Sequence, residues 1–199
     1  MRITGGILKG RIVRVPSGPL RPTQDKVRAA LFSMLGEAVV GARVLDLFAG
    51  SGALGLEAWS RGAASVCWVD SDPAVLRVLR LSVAELCAPG GGITECRRDD
   101  ALRFLEKTGA GRSFDLVLAD PPYDRDGSRR WLEKTLLTLQ ASPILAPEGL
   151  LAFEQGAQQT VPEAPGWNLL RDRTYGETRL LLYRRMAAGS GGQEKPLSV

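Results

Sequence analysis

Val44-Leu-Asp-Leu-Phe-Ala-Gly-Ser-Gly-Ala-Leu-Gly55 decides the fold class. An apolar run leads into Gly50, Gly52 and Gly55, and a helix-like stretch covers Leu54 to Arg61. Strand, glycine turn and helix in that order open a nucleotide-binding βαβ unit. Glycine lets the backbone turn tightly and approach a ligand closely. The next apolar run, Ser65-Val-Cys-Trp-Val69, ends in Asp70, 24 residues after Asp46. That is near the spacing at which a carboxylate grips ribose hydroxyls. A solvated strand-end acid beside Ser71 and Asp72 is the alternative for Asp70.

Asp46 separates two cofactors. A dinucleotide would present a pyrophosphate to the glycine turn, and a carboxylate just before that turn repels it. S-adenosylmethionine (SAM) has no phosphate. Its sulfonium and ammonium are attracted by a carboxylate there. The alternative for Asp46 is a strand-end residue that caps the turn. A third acidic position follows Ile93-Thr-Glu-Cys-Arg97, in Arg98-Asp-Asp-Ala-Leu-Arg103. Asp99 or Asp100 can cap a helix over Ala101 to Lys107. Asp100 is preferred because it directly precedes Ala101, and it can also meet an adenine amine. Phe48 and Ser51 of the turn, Ser71 beside Asp70, and Ala101 complete this candidate cofactor site.

Further along, Asp115-Leu-Val-Leu-Ala119 reads as a buried strand that ends in Asp120-Pro-Pro-Tyr123. A rigid turn with one carboxylate and one aromatic ring suits a planar base bearing an exocyclic amine. The Asp120 carboxylate and the Pro121 carbonyl can accept the two amine hydrogens. That localises the nitrogen lone pair for attack on an electrophilic methyl group. Pro121 and Pro122 fix φ and hold the carbonyl in place. Tyr123 can stack on the ring. An ordinary strand-ending proline turn is the alternative.

The rest of the chain continues the alternation. Predicted elements are Val44–Phe48, Leu54–Arg61, Ser65–Asp70, Pro73–Leu86, Ile93–Arg97, Ala101–Lys107, Asp115–Ala119, Arg129–Leu139 and Leu150–Glu154. Such alternation implies a parallel sheet with helices on both faces. Trp167–Thr174 and Thr178–Arg184 flank Tyr175-Gly-Glu177 and read as a terminal hairpin, giving one antiparallel strand at the edge. Residues 2–15 read as a β-hairpin or irregular β-element. Thr23 is expected to cap a helix from about Asp25 to Glu37, with Val27, Ala30, Leu31 and Leu35 on one face. The domain reading is a basic extension over 1–37, a catalytic domain over 38–185, and a flexible tail over 186–199.

Composition bounds the function. The 199 residues, 44% hydrophobic, suit a single α/β domain. No apolar run is long enough for a membrane span, and the N-terminus lacks a signal-peptide apolar region. Cys67, Cys87 and Cys96 are scattered without metal-ligand spacing, so reduced thiols, no metal and a cytoplasmic setting are expected. Histidine is absent, which excludes His-based triads, HExxH sites and zinc deaminase signatures. Methyl transfer from a sulfonium fits, because alignment can supply most of the acceleration.

Charge is concentrated at the start. Residues 1–37 hold seven bases (Arg2, Lys9, Arg11, Arg14, Arg21, Lys26, Arg28) and two acids, a balance of +5 against −1 for the remainder. Arg125, Arg129 and Arg130 form a second basic group after the proline turn. Both groups suit a polyanion, whose phosphates would position it rather than identify its sequence. A solvated basic face is the alternative for each.

These motifs resemble those of the RsmD-type methyltransferases, which methylate the N2 amine of one guanine in 16S ribosomal RNA. The resemblance runs from Met1 to about Arg185. It is carried by Arg2-Ile-Thr-Gly-Gly6 with Lys9-Gly-Arg11, Arg21-Pro-Thr-Gln-Asp-Lys-Val-Arg28, Asp46-Leu-Phe-Ala-Gly-Ser-Gly52, Asp120-Pro-Pro-Tyr123 and Tyr175-Gly-Glu-Thr178. It implies a Rossmann-like, seven-stranded class I methyltransferase sheet with an N-terminal β-hairpin extension. It implies SAM held at Asp46, Gly50, Gly52, Asp70 and Asp100, with Arg21, Pro22 and Thr23 near the cofactor lid. It also implies a substrate within an assembling small ribosomal subunit. Asp70 departs from the Glu common in relatives, which shortens its reach, and Ser71-Asp72 lack a lysine often found there. A monomer is expected. An N6-adenine methyltransferase, a nicotinamide oxidoreductase and a non-catalytic RNA-binding assembly factor are the competing functions.

Overall fold

The computed structural model describes residues 1–14, 22–87, 92–107, 111–122, 124 and 127–186, and the side chains of 22–24 fall outside that description. Five helices and seven strands occur among these residues. They are α1 (Pro22–Leu35), β1 (Arg43–Leu47), α2 (Ala53–Ser60), β2 (Ser65–Asp70), α3 (Pro73–Leu86), β3 (Ile93–Arg98) and α4 (Ala101–Lys107). There follow β4 (Phe114–Ala119), α5 (Trp131–Ala141), β5 (Leu145–Gly156), β6 (Trp167–Tyr175) and β7 (Thr178–Arg185). The strands form one sheet in the order β3-β2-β1-β4-β5-β7-β6. β1 to β5 pair in parallel, and β7 runs antiparallel between β5 and β6. The terminal hairpin thus supplies the antiparallel edge of the sheet.

Strand parity sorts the core into two layers. Val44, Leu116, Leu118 and Ala152 face the layer built by α1, α2 and α3. Leu45, Leu47, Val117, Ala119 and Phe153 face the layer of α4 and α5. Side chains alternate across a sheet with period two. Asp46, Asp120 and Glu154 therefore share the α1–α3 face, each at or near the carboxyl end of its strand. The strand order switches direction at β1, with β2 on one side and β4 on the other, and leaves a crevice at this edge, where open α/β sheets bind ligands.

Helix starts follow the local chemistry. Asp72 caps α3, accepting from Ala74 N (2.7 Å) and Val75 N (3.4 Å), with Pro73 at the first helical position. Asp100 caps α4, its Oδ1 accepting from Arg103 N at 3.0 Å. Thr23 does not cap α1. The helix begins at Pro22, whose fixed φ and missing N–H suit a first turn, and a 3-10 turn, Gly36–Val39, replaces its expected last residues. The N-terminal segment makes only one isolated antiparallel bridge, Arg2 to Ile12, with Ile3 and Val13 buried in the α1–α3 layer. The reading of residues 187–199 lies outside the described residues.

Gly52 and Gly55 fix the turn after β1. Gly52 caps α2 at φ 77°, in the left-handed region, and its carbonyl accepts from Trp68 Nε1 at 3.2 Å. A Cβ on Gly55 would stand 2.2 Å from Trp68 Nε1 and 2.9 Å from Val66 Cγ1. Trp68 is fully buried and cannot yield. Gly55→Ala is expected to destabilise the fold by about 1–3 kcal/mol, as overpacked cores do. Chemical denaturation of the variant checks this.

Candidate active site

A cavity of about 700 Å³ opens at the carboxyl edge of the sheet. Its floor is the turn after β1, through Phe48, Gly50 and Ser51, with Asp46 beneath. Asp70 and Ser71 line one side, and Asp100 and Ala101 lie beside them. Asp120, Pro121 and Pro122 line it on the β4 side. The acids at the ends of three strands and at the start of α4 thus converge on one space. That volume is typical of a small-molecule site.

The acids are anchored differently. Asp46 is 1% exposed, and its Oδ2 accepts from Gly55 N at 2.8 Å. Burial pushes its carboxyl well above the usual carboxylate range; the Gly55 N–H opposes this, and Asp120 and Asp70 add to it. A cationic ligand beside it would favour the charged form. Asp70 uses Oδ2 to accept from Gly50 N at 2.8 Å and Oδ1 to accept from Asp72 N at 2.9 Å. It therefore holds the glycine turn, and each oxygen keeps a lone pair for a hydroxyl donor. The turn-capping alternative for Asp46 is realised, and Asp70 holds the turn as well instead of standing as a solvated strand-end acid; both roles are compatible with ligand contact.

Phe48 stands at φ 56°, a left-handed conformation rare for an aromatic residue. Its ring meets Trp131 edge-on, with centroids 5.1 Å apart. Strain of this kind collects at functional sites.

A second cavity, of about 440 Å³, lies behind the same proline turn. The two share Asp120, Pro121, Pro122, Trp131 and Glu154 as a common wall. The second is otherwise lined by polar groups such as Gln155, Gln159 and Thr160. Asp124 fixes the return of the chain: its Oδ2 accepts from Arg129 N and Arg130 N, each at 2.9 Å. Its carbonyl accepts from Gln159 Nε2 at 2.6 Å.

Asp120 is open to the cavities, but the protein around it limits water, and this desolvation raises its carboxyl to about 6. Glu154 is raised to about 8, first by burial and then by the Asp120 charge, with Arg28 opposing. A carboxyl with a raised native pKa binds more protons than in the unfolded chain between its two values. Stability therefore falls as pH rises across that interval. For Glu154 the interval runs from about 4.3 in the unfolded chain to about 8 in the fold. Glu154→Gln is thus expected to raise the melting temperature at pH 9 and to leave it unchanged at pH 4, as thermal melts at the two pH values would record.

The basic residues divide. Arg2, Lys9, Arg11, Arg14 and Lys26 are exposed on the N-terminal segment and α1, with Arg14 paired to Glu85 at 2.7 Å. Arg129 lines the larger cavity, its guanidinium 6.0 Å from the Trp131 ring, and Arg130 pairs with Glu133. Arg28 departs from its expected role as a phosphate contact. It is 4% exposed and committed to Glu57, Asp25 and the Arg2 carbonyl. Its charge balances the fully buried Glu57, so it ties α1 to α2 instead of facing a polyanion. Arg21, Tyr123 and Arg125 lie outside the described residues, as do the side chains of Pro22 and Thr23.

Glu154, Trp131 and Asp124 were not singled out from sequence. Glu154 carried a legible signal, since it closes an apolar run as Asp70 and Asp120 do. The three cysteines take no part in the cavity lining. Cys67 is buried and its thiol is pushed up to about 12, which leaves no useful thiolate. Among the described residues, no helix is long and apolar enough to cross a membrane.

A seven-stranded, mostly parallel sheet with its crevice at the β1 and β4 ends is the Rossmann-like class I methyltransferase fold. The family model described as Conserved hypothetical protein 95 matches residues 1–184. The chain belongs to that family, the RsmD-type family. It is 39% identical over 191 residues to ribosomal RNA small subunit methyltransferase D of Escherichia coli strain K12, covering 95% of this chain and 92% of the relative. Similarity to the Haemophilus influenzae protein of the same name is 32% over 186 residues, covering 92% of this chain and 93% of that one. The solved yhhF structure from Escherichia coli superposes with a TM-score of 0.78 at 39% identity, covering 94% of this chain and 99% of that chain.

Proposed function

We propose that this protein is a SAM-dependent methyltransferase that methylates the exocyclic N2 amine of a guanine in 16S ribosomal RNA. One observation carries the reading: the cavity lined by Asp46, Asp70 and Asp100 is also lined by the Asp120-Pro121-Pro122 corner. The residues present suit SAM. Buried Asp46 favours a sulfonium or ammonium and disfavours a pyrophosphate. Gly50 in the turn leaves backbone open to close approach, and Asp70 and Asp100 offer acceptors for hydroxyl and amine hydrogens. Relatives that share most of the chain's length carry the name of ribosomal RNA methyltransferases.

Asp46, Asp70 and Asp100 would hold SAM, which would supply the methyl group and keep on its sulfur the electron pair of the C–S bond exchanged for C–N. The protein's part is alignment. Asp120 and the Pro121 carbonyl accept the amine hydrogens and turn the nitrogen lone pair toward the methyl carbon. The extra proton on nitrogen then leaves to Asp120 or water. Tyr123 stacks on the base, which must first leave its own stack. Exposed Arg2, Lys9, Arg11 and Arg129 meet RNA phosphates. The substrate is an assembling small subunit, the enzyme acts as a monomer, and its setting is the cytoplasm.

Incubation with tritiated SAM and small-subunit particles lacking the modification tests the proposal. N2-methylguanosine in the nuclease digest is the predicted product. N6-methyladenosine would support the adenine alternative, and RNA binding without incorporation would support a non-catalytic assembly factor.

A further inference from the structure

The Asp120 corner has a lateral neighbour. β4 and β5 pair in parallel with Ala119 opposite Phe153, so Asp120 and Glu154 come one step later on adjacent strands. Parallel neighbours lie about 4.8 Å apart, and paired positions face the same side of the sheet. Both side chains line the wall common to the two cavities. Neither carboxyl is held by a hydrogen bond from a described residue. Two adjacent carboxyls facing open space, with no donor of their own, are set to meet donors on a ligand.

Building on the guanine reading above, we propose that Glu154 is a specificity-determining residue that reads the N1–H and O6 edge of the acceptor base. Guanine carries N2–H, N1–H and O6 side by side. Asp120 takes N2–H. Glu154, as a neutral acid, accepts N1–H on its carbonyl oxygen and donates its hydroxyl to O6. Adenine placed with its amine at the same point offers a bare N1 and a C2–H there. At least one of the two bonds is lost, and a buried polar group is left unpaired.

Electrostatics favour the neutral form. Asp120 from β4 repels a second negative charge, and Asp46 from β1 lies on the same face. Among the described residues, Arg28 from α1 opposes this, though Asp25 and Glu57 already engage it, and Arg129 lines the same cavity. On the β7 side the paired residue is Leu180, which is apolar and fully buried. A single proton on the pair leaves one acceptor-only group and one group that both donates and accepts, which matches the guanine edge.

Methyl transfer by Glu154→Ala and Glu154→Gln, read with SAM affinity by calorimetry, tests the assignment. The amide of glutamine mimics a neutral acid, donating to O6 and accepting from N1–H. Glu154→Ala is expected to lower kcat/KM by roughly 30-fold or more, with SAM affinity within about threefold. Glu154→Gln should restore turnover to within about fivefold of the parent. The parent's rate should fall as pH rises through about 8, and the Gln variant's should not. The inference is overturned if Glu154→Ala turns over within threefold of the parent, or if Gln loses as much as Ala. A parent product other than N2-methylguanosine would instead remove the guanine reading itself.

Discussion

Asp120→Ala is expected to lower methyl transfer by about 10²–10³-fold while SAM affinity stays within about threefold. The asymmetry follows from position. Asp120 follows β4, across β1 from Asp70 at the end of β2, the group assigned to the ribose, with Asp46 on the strand between. Its carboxylate aligns the acceptor nitrogen and takes part of its developing charge. An interaction made chiefly in the transition state lowers turnover and leaves ground-state cofactor binding nearly intact. Single-turnover kinetics with calorimetry separate the two quantities. Equal losses in both would place Asp120 in the cofactor site instead. Because its carboxyl is raised to about 6, the parent's rate should also decline below that pH as the acceptor is protonated.

Glu57→Ala carries the largest expected loss of stability, about 3–5 kcal/mol. Glu57 is fully buried. It accepts from Thr4 N at 2.8 Å, Thr4 Oγ1 at 2.6 Å, Arg61 Nε at 2.9 Å and Arg28 Nε at 3.3 Å. Removing it leaves the Arg28 guanidinium buried beside Asp25 alone and releases the Thr4 backbone from α2. The melting temperature should drop by about 10 °C, and amide exchange should quicken first at Ile3 and Val13. A drop under about 3 °C would show that the N-terminal segment is held by its apolar contacts alone. Ion-pair accounting would then be the wrong description of this layer.

The contrast between these residues shows what the chain made legible. Local signals carried far. Gly50, Gly52 and Gly55 announced a turn, and apolar runs ending in Asp46, Asp70 and Asp120 announced strands whose ends meet at one crevice. Asp100 next to Ala101 announced a helix cap. What stayed hidden depends on pairing between distant segments. Arg28 reads as one base among seven, and only its approach to Glu57, 29 residues on, makes it structural. Glu154 closes an apolar run, but its place next to Asp120 depends on β5 lying beside β4, which no local pattern states. The Thr23 cap failed because proline competes well for the first helical position. Trp131 gains its place from contacts across the fold, against Phe48 and in the wall common to the two cavities.

A crystal structure with S-adenosylhomocysteine tests the central claim most directly. The account predicts ribose hydroxyls on Asp70, the adenine amine at Asp100, and the sulfur turned toward Asp120 with room between them for a base amine. A ligand seated elsewhere, or one whose sulfur faces away from the Asp120 corner, would contradict it.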